Sequence, residues 1–468
     1  MTEPSLTRPR LRDLLALAWP IVVSRSSQVV VGVTDAAMVA HLGEEALGAT
    51  TAGSMNAVAF LILPMGTVFI VSAFSAQLMG KGDPAGGRRF AWYGLAIALV
   101  TELVCLAAAP FMGRLVSLGS HPPAVAALMS TYLVYRLSTA GAAVGLEAIG
   151  NYYAGVKNTV LPMVAQVLAM VLNVVLCWVL IYGRLGAPAL GVLGSALASA
   201  IATLVAFVAL FVCFVAGVGQ PGRDLPTGPL RLRELGRMLR FGLPSGLNWF
   251  IEFAAFIVFI DIVVADLGST VLAAMMAVFQ INSVSFMPAF GLATAGSIFV
   301  GNAIGADKKD DVPPTVALTM KVAVVWQTLV GLLYLAVPTL LLAPFAPAGA
   351  PLFVATGAVV LRLSAAWQAF DAAANTLAEA LRAAGDTTFT SIARGLIAWG
   401  FFFPGVYVSV RVFGGREVAA TGWLVGYLLL LAVVLVLRFR SGRWRSIDMT
   451  EPDIVPESSA KIDAMSGA

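Results

Sequence analysis

The chain has 468 residues, 59% of them hydrophobic and 12% charged, with a mean hydropathy of +0.90. An ordinary soluble domain is about 25% charged and less apolar, so the composition excludes a soluble enzyme of ordinary type, and its hydrophobicity excludes a disordered chain. The net charge of +4 and three cysteines, with no CxxC or Cys/His ligand spacing, give no support to nucleic-acid binding, a zinc site or a disulfide framework.

In chain order, the first apolar run, 14–40, is too long for the core of a signal peptide and reads as a first transmembrane helix. Eleven more follow at 52–79, 90–112, 124–152, 159–183, 190–216, 241–265, 272–304, 315–343, 353–381, 389–412 and 419–438. A helical span needs about 20 residues. These runs are that long and apolar all round, so they are helices and not the alternating strands of a barrel. An even number of spans places both ends on one side. Most of the 29 Lys and Arg fall on that side, among them Arg8, Lys81, Arg88, Arg231, Lys308, Arg382, Arg394 and Arg438. Arg114, Arg184, Arg411 and Arg416 fall on the other, while Arg25, Arg136 and Arg362 lie within spans. The positive-inside rule then makes both termini cytoplasmic. The longest polar break, 217–240, holds five arginines and three prolines. It divides the chain into an arm (1–13), a first lobe (14–216), a linker (217–240), a second lobe (241–440) and a tail (441–468) expected to be disordered.

The two lobes resemble each other. Leu42-Gly43 matches Leu267-Gly268, Gly66 matches Gly291 and Gly80 matches Gly305, all at one offset, and Pro20 matches Pro244 within one residue of it. Arg136 aligns with Arg362, and Lys157-Asn158-Thr159 lies near the counterpart of Gly385-Asp386-Thr387. Six spans per repeat start each half on the same side. The expected fold is therefore all-α and integral to the membrane: twelve helices in two parallel six-helix lobes, related by a pseudo-two-fold axis along the membrane normal.

An ionisable group within a span costs roughly 2.5–3.5 kcal/mol and is a functional candidate by default. Glu252 lies about 16 Å into the seventh span by helical rise, and Asp371 sits mid-way along the tenth. Together they could hold a proton or a cation. Asp35 in the first span and Asn173 in the fifth are their counterparts in the first lobe, with Glu147 deep in the fourth as a further candidate. Arg25, Arg136 and Arg362 read as snorkelling or interhelical partners. Asp266, at a span end, reads as solvated. There is no Walker A, GxSxG or HExxH motif.

The strings WPIVVSRSSQVVVGVTDAAMVAHLG, FGLPSGLNWFIEFAAFIVF and WQAFDAAANTLAEALRAAGDTT resemble the multidrug and toxic compound extrusion (MATE) family, and more narrowly its NorM-like branch, over about residues 11–440. The resemblance implies a secondary antiporter and no enzyme. It would export amphipathic, often cationic, organic small molecules through a cleft between the lobes, in exchange for Na⁺ or H⁺. It would work without a cofactor or nucleic-acid partner, as a monomer in the bilayer of the cytoplasmic membrane. The resemblance also makes Glu252 and Asp371 the cation site of the second lobe, with Asp35 as its first-lobe counterpart. Trp367, one turn before Asp371, would offer a π face to a cation. Where family members carry an acid or amide four residues after the fifth-span Asn, this chain has Cys177, which weakens an ion site built wholly in the first lobe. Other readings on these residues are an exporter of one metabolite or lipid-linked precursor, a channel, and an intramembrane enzyme.

Overall fold

The computed structural model describes residues 8–117, 119, 122–346 and 350–450. Part of the expected arm and most of the expected tail lie outside those residues.

Twelve long helical segments run through the described residues. They are α1 (Leu11–Ala40), α2 (Glu44–Gly80), α3 (Pro84–Ser117), α4 (Pro123–Leu137, then Ala140–Gly155), α5 (Val160–Tyr182), α6 (Val192–Val215), α7 (Leu232–Val258), α8 (Ser269–Gly305), α9 (Lys309–Ala336), α10 (Pro351–Ala383), α11 (Thr387–Arg411) and α12 (Glu417–Arg440). Ten of them are long and apolar enough to cross a membrane. The other two are α4, which breaks at Ser138-Thr139, and α7, which opens with charged turns containing Arg233, Glu234, Arg237 and Arg240. Leu99, Val100, Leu103 and Val104 on α3, and Leu329, Leu332 and Leu333 on α9, are exposed. On a soluble protein such stripes would be a liability; facing acyl chains they cost nothing.

The internal repeat is structural. Both α2 and α8 have 37 residues. Each is entered through a glycine with positive φ, Gly43 at +111° and Gly268 at +100°, a conformation that favours a residue without Cβ. Past the far ends, Gly82 and Asp307 both have positive φ, as do Lys157 and Gly385 at the α4–α5 and α10–α11 turns. Packing repeats as well: α1 lies on α5 as α7 lies on α11, and α4 lies on α6 as α10 lies on α12. Across the lobes α1 packs on α8 and α7 on α2, so each lobe lends its first helix to the other's second.

The lobes meet on the arginine-rich side. A Cβ on Gly66 would lie 2.7 Å from the Gly246 Cα, and one on Gly301 would lie 2.8 Å from the Ala76 Cβ. Leu14, Leu17, Ile21, Ala76, Leu292, Ile298 and Phe299 form an apolar cluster across this contact. Deeper in, Phe69, Trp249 and Phe290 meet with ring centroids 5.3–6.0 Å apart and close the floor between the lobes. The Arg25 guanidinium lies 5.3 Å from the Phe69 ring centroid and that of Arg382 lies 4.7 Å from it. Arg382 also donates to the Phe69 carbonyl and the Ser72 hydroxyl at 3.0 Å, and is ion-paired with Glu379.

Lys157, in the α4–α5 turn, crosses to the second lobe with its ammonium 4.5 Å from the Phe299 ring centroid. Burial pushes it down to about 8, against the smaller opposing pull of Asp13. A lowered lysine means that the charged form is disfavoured in this arrangement. The cost is fully present below pH 8 and is relieved as pH rises from about 8 towards the ordinary 10.5. Closure on this side is therefore expected to strengthen across that window. Spin-label distances between the lobes should tighten with pH in the parent protein, and Lys157→Met should flatten the dependence.

The first residues of the expected disordered tail are folded. Arg443–Ser446 form a short 3₁₀ turn. Trp444 stacks on Phe439 and donates to its carbonyl at 3.0 Å. Arg445 pairs with Asp310 at 2.8 Å, and Met449 is buried with its sulfur 3.3 Å from the Gln77 amide nitrogen. The expectation failed because it read local polarity, whereas two apolar anchors, Trp444 and Met449, hold this segment against both lobes. Trp444→Ala is expected to cost about 3 kcal/mol of local stability and to speed tryptic cleavage at Arg443 and Arg445 at least several-fold.

Candidate functional site

The second lobe encloses a cavity of about 390 Å³ between α7, α8, α9, α10, α11 and α12. Its wall is rich in aromatic rings, with Phe256, Phe259, Phe279, Phe286, Trp367, Phe402 and Tyr427, and it carries two carboxylates, Glu252 and Asp371. Glu252, Asp371 and Trp367 are thus brought together. Two π-helical segments shape the wall, Phe259–Val264 continuing α7 and Ile397–Phe402 within α11. Each extra residue rotates the helix beyond it, and the rings of Phe259 and Phe402 meet at 5.2 Å. Two hydrogen bonds hold polar groups of the wall: Gln368 donates to Asn282 at 2.6 Å, and Asn375, just outside the lining, donates to Asp371 Oδ1 at 2.9 Å. The Gln327 amide faces the same cavity, buried and with no protein partner at either end. A buried amide of that kind is costly unless something else meets it, which marks the cavity as a place for a ligand.

Arg394 changes the reading of this site. Counted with the loop cations by sequence, it lies inside α11 at 5% exposure and is ion-paired with Glu252. It is also in electrostatic reach of Asp371 and Tyr427. Arg382, counted the same way, is equally buried, with Glu379. A signal existed: Arg394 falls within the predicted span 389–412, five residues past its start, so it belonged with the intramembrane charges.

Asp35 and Asn173 meet in a separate, buried cluster of the first lobe. Asp35 accepts from the Cys177 thiol at 3.1 Å and from Ser199 at 3.0 Å, and Asn173 donates to Ser199 at 2.9 Å. Cys177 therefore does not leave the cluster incomplete; its thiol takes the donor role at Asp35. Ser199 was not legible, because a hydroxyl in a membrane helix usually bonds its own backbone. Glu147 joins neither cluster. It forms an ion pair with Arg25 at 2.7 Å and accepts from Asn151 at 3.3 Å, beside the interlobe floor. Arg136 is half-buried and donates weakly to Thr203 at 3.5 Å, whereas its repeat counterpart Arg362 is exposed, so the two do not share one role. Asp266, on the side away from the arginine-rich face, pairs with Arg411.

A parallel pair of six-helix lobes, closed on one side and holding a carboxylate-bearing cavity among helices of membrane-spanning length, is the architecture of a membrane transporter. The chain belongs to the MatE family, whose model matches residues 20–179 and 244–408. It is 24% identical over 446 residues to a protein of Thermotoga maritima named "Probable multidrug resistance protein NorM", covering 93% of this chain and 94% of that one. It is 28% identical over 302 residues to a protein of the same name from Neisseria meningitidis serogroup A, there covering 63% of this chain and 65% of the relative. A solved structure described as the outward-facing conformation of a multidrug resistance MATE family transporter superimposes with a TM-score of 0.84 at 19% identity, covering 96% of this chain and 99% of that one.

Proposed function

We propose that the protein is a multidrug efflux antiporter of the cytoplasmic membrane, expelling amphipathic organic cations in exchange for Na⁺ or H⁺. The observation that carries this reading is the placement of Glu252 and Asp371 on an aromatic cavity inside one lobe, with the lobes closed on the arginine-rich side. By the positive-inside rule that side is cytoplasmic and holds both termini, so the closed floor corresponds to an outward-facing state. Substrate leaves from this state when a cation takes the carboxylates. Exchange requires that the cation bind one state more tightly than the other, because equal binding shifts no population.

The test is ethidium efflux from pump-deficient cells under a Na⁺ gradient and a pH gradient imposed separately. Gradient-driven efflux is expected, and the effective gradient names the ion. Asp371→Asn is expected to lower it to background. Absence of efflux under both gradients, with the protein shown to be in the membrane, would sink the multidrug reading in favour of a narrow-substrate exporter on the same fold.

A further inference from the structure

We propose that Arg394 is a built-in counter-cation that holds the second-lobe cavity at a single net negative charge, and thereby selects singly charged aromatic cations over doubly charged ones. The inference rests on the efflux reading of this cavity and adds a rule for its substrates. Among the described residues lining the cavity there are two carboxylates and no Lys, Arg or His. Left alone, they would present two negative charges when ionised. Arg394 reaches Glu252 from behind the wall, buried where Glu252 is about half-exposed, with side-chain exposures of 6% and 48%. An arginine does not give up its charge in a protein, so its contribution is permanent. Ser391, one turn earlier on α11, donates to the Pro244 carbonyl of α7 and fixes the two helices in the register that the pair requires.

The balance left for a ligand is one charge. One monovalent cation neutralises the cavity; a dication leaves an uncompensated positive charge in a low-dielectric, aromatic-rich enclosure, where such a charge is most costly. The rings of Phe256, Trp367 and Tyr427 suit a delocalised cation with a flat face. A volume of about 390 Å³ accommodates a molecule of two or three rings.

The experiment is equilibrium binding to purified protein in nanodiscs, using two probes on near-identical two-ring skeletons. They are N-methyl-4-phenylpyridinium, with one charge, and N,N′-dimethyl-4,4′-bipyridinium, with two. The parent is expected to prefer the monocation roughly tenfold. Arg394→Met should move the ratio towards the dication by roughly tenfold, and Arg394→Lys should keep the parent's ratio. Should Arg394→Met fail to fold, the double variant Glu252→Leu/Arg394→Met removes one charge of each sign and must retain the parent's preference. A parent that binds both probes equally, an Arg394→Met variant with the parent's ratio, or a double variant with an inverted one overturns the charge rule while leaving the efflux reading intact. A parent that binds neither probe overturns the charge rule, and absence of ethidium efflux beside it overturns the efflux reading as well.

Discussion

Gly305→Ala is expected to prevent the lobes from closing on the arginine-rich side and to reduce efflux at least tenfold. A Cβ at Gly305 would lie 1.8 Å from the Gln77 carbonyl oxygen and 2.6 Å from its carbonyl carbon. At its repeat partner Gly80 a Cβ would lie 2.2 Å from the Asn302 carbonyl oxygen. These neighbours are backbone, so no change of rotamer relieves the overlap; α2 and α8 must separate. Overpacking of this kind costs about 1–3 kcal/mol or more, enough to shift a two-state equilibrium by roughly tenfold to a hundredfold. The same variant should leave the second-lobe cavity unchanged, since Gly305 is no part of its wall. Spin labels at Lys81 and Lys308, in a protein with Cys213 replaced by alanine, should report a longer and broader distance for Gly305→Ala than for the parent. Identical distances and identical efflux would show that the close approach is not needed for transport.

Glu379→Ala is expected to lower stability by about 3–5 kcal/mol, read as a lower Tm in detergent. Both members of the Glu379–Arg382 pair are buried. Arg382 also crosses the lobe boundary to the Phe69 carbonyl, the Ser72 hydroxyl and the Phe69 ring. Removing the carboxylate leaves a buried guanidinium with only neutral acceptors, and a broken buried pair costs more than its absence altogether. The double variant Glu379→Met/Arg382→Met should therefore recover most of the loss. A single variant within about 0.5 kcal/mol of the parent would mean that water or another anion reaches Arg382. The two variants separate the sources of closure: Gly305 tests shape, and Glu379 tests charge at the same interface.

The sequence-predicted site residues and the buried arginines fall into groups with different surroundings. The second-lobe group of Glu252, Asp371 and Arg394 faces a cavity. Asp35, Asn173, Cys177 and Ser199 form a buried hydrogen-bonded group. Arg25 with Glu147 and Arg382 with Glu379 brace the floor between lobes. Of these groups, the second-lobe carboxylates are the ones that line an open cavity, and they are the pair on which the proposed exchange rests. The pairing with Arg25 gives Glu147 a structural part in closing the floor.

The sequence by itself determined the twelve spans, the six-plus-six division and the repeat, because each is written in one dimension. Burial in lipid demands long apolar runs with backbone groups satisfied within each helix. A duplicated turn keeps its glycine at a constant offset, as Gly43 and Gly268 do. Glu252, Asp371 and Asp35 were legible for the same reason: a carboxylate stands out in an apolar run. The tertiary structure alone decided which charges meet. Whether Arg394 faces Glu252 or the headgroups depends on how far α11 slides along α7 and how each is rotated about its axis. Hydropathy averages over both quantities. For that reason Arg382 looked like a loop cation, the Glu147–Arg25 pair was not foreseen, and residues 443–450 looked like a free tail. The sequence records the cost of placing a charge in the membrane, and only the packing of one helix on another shows what offsets it.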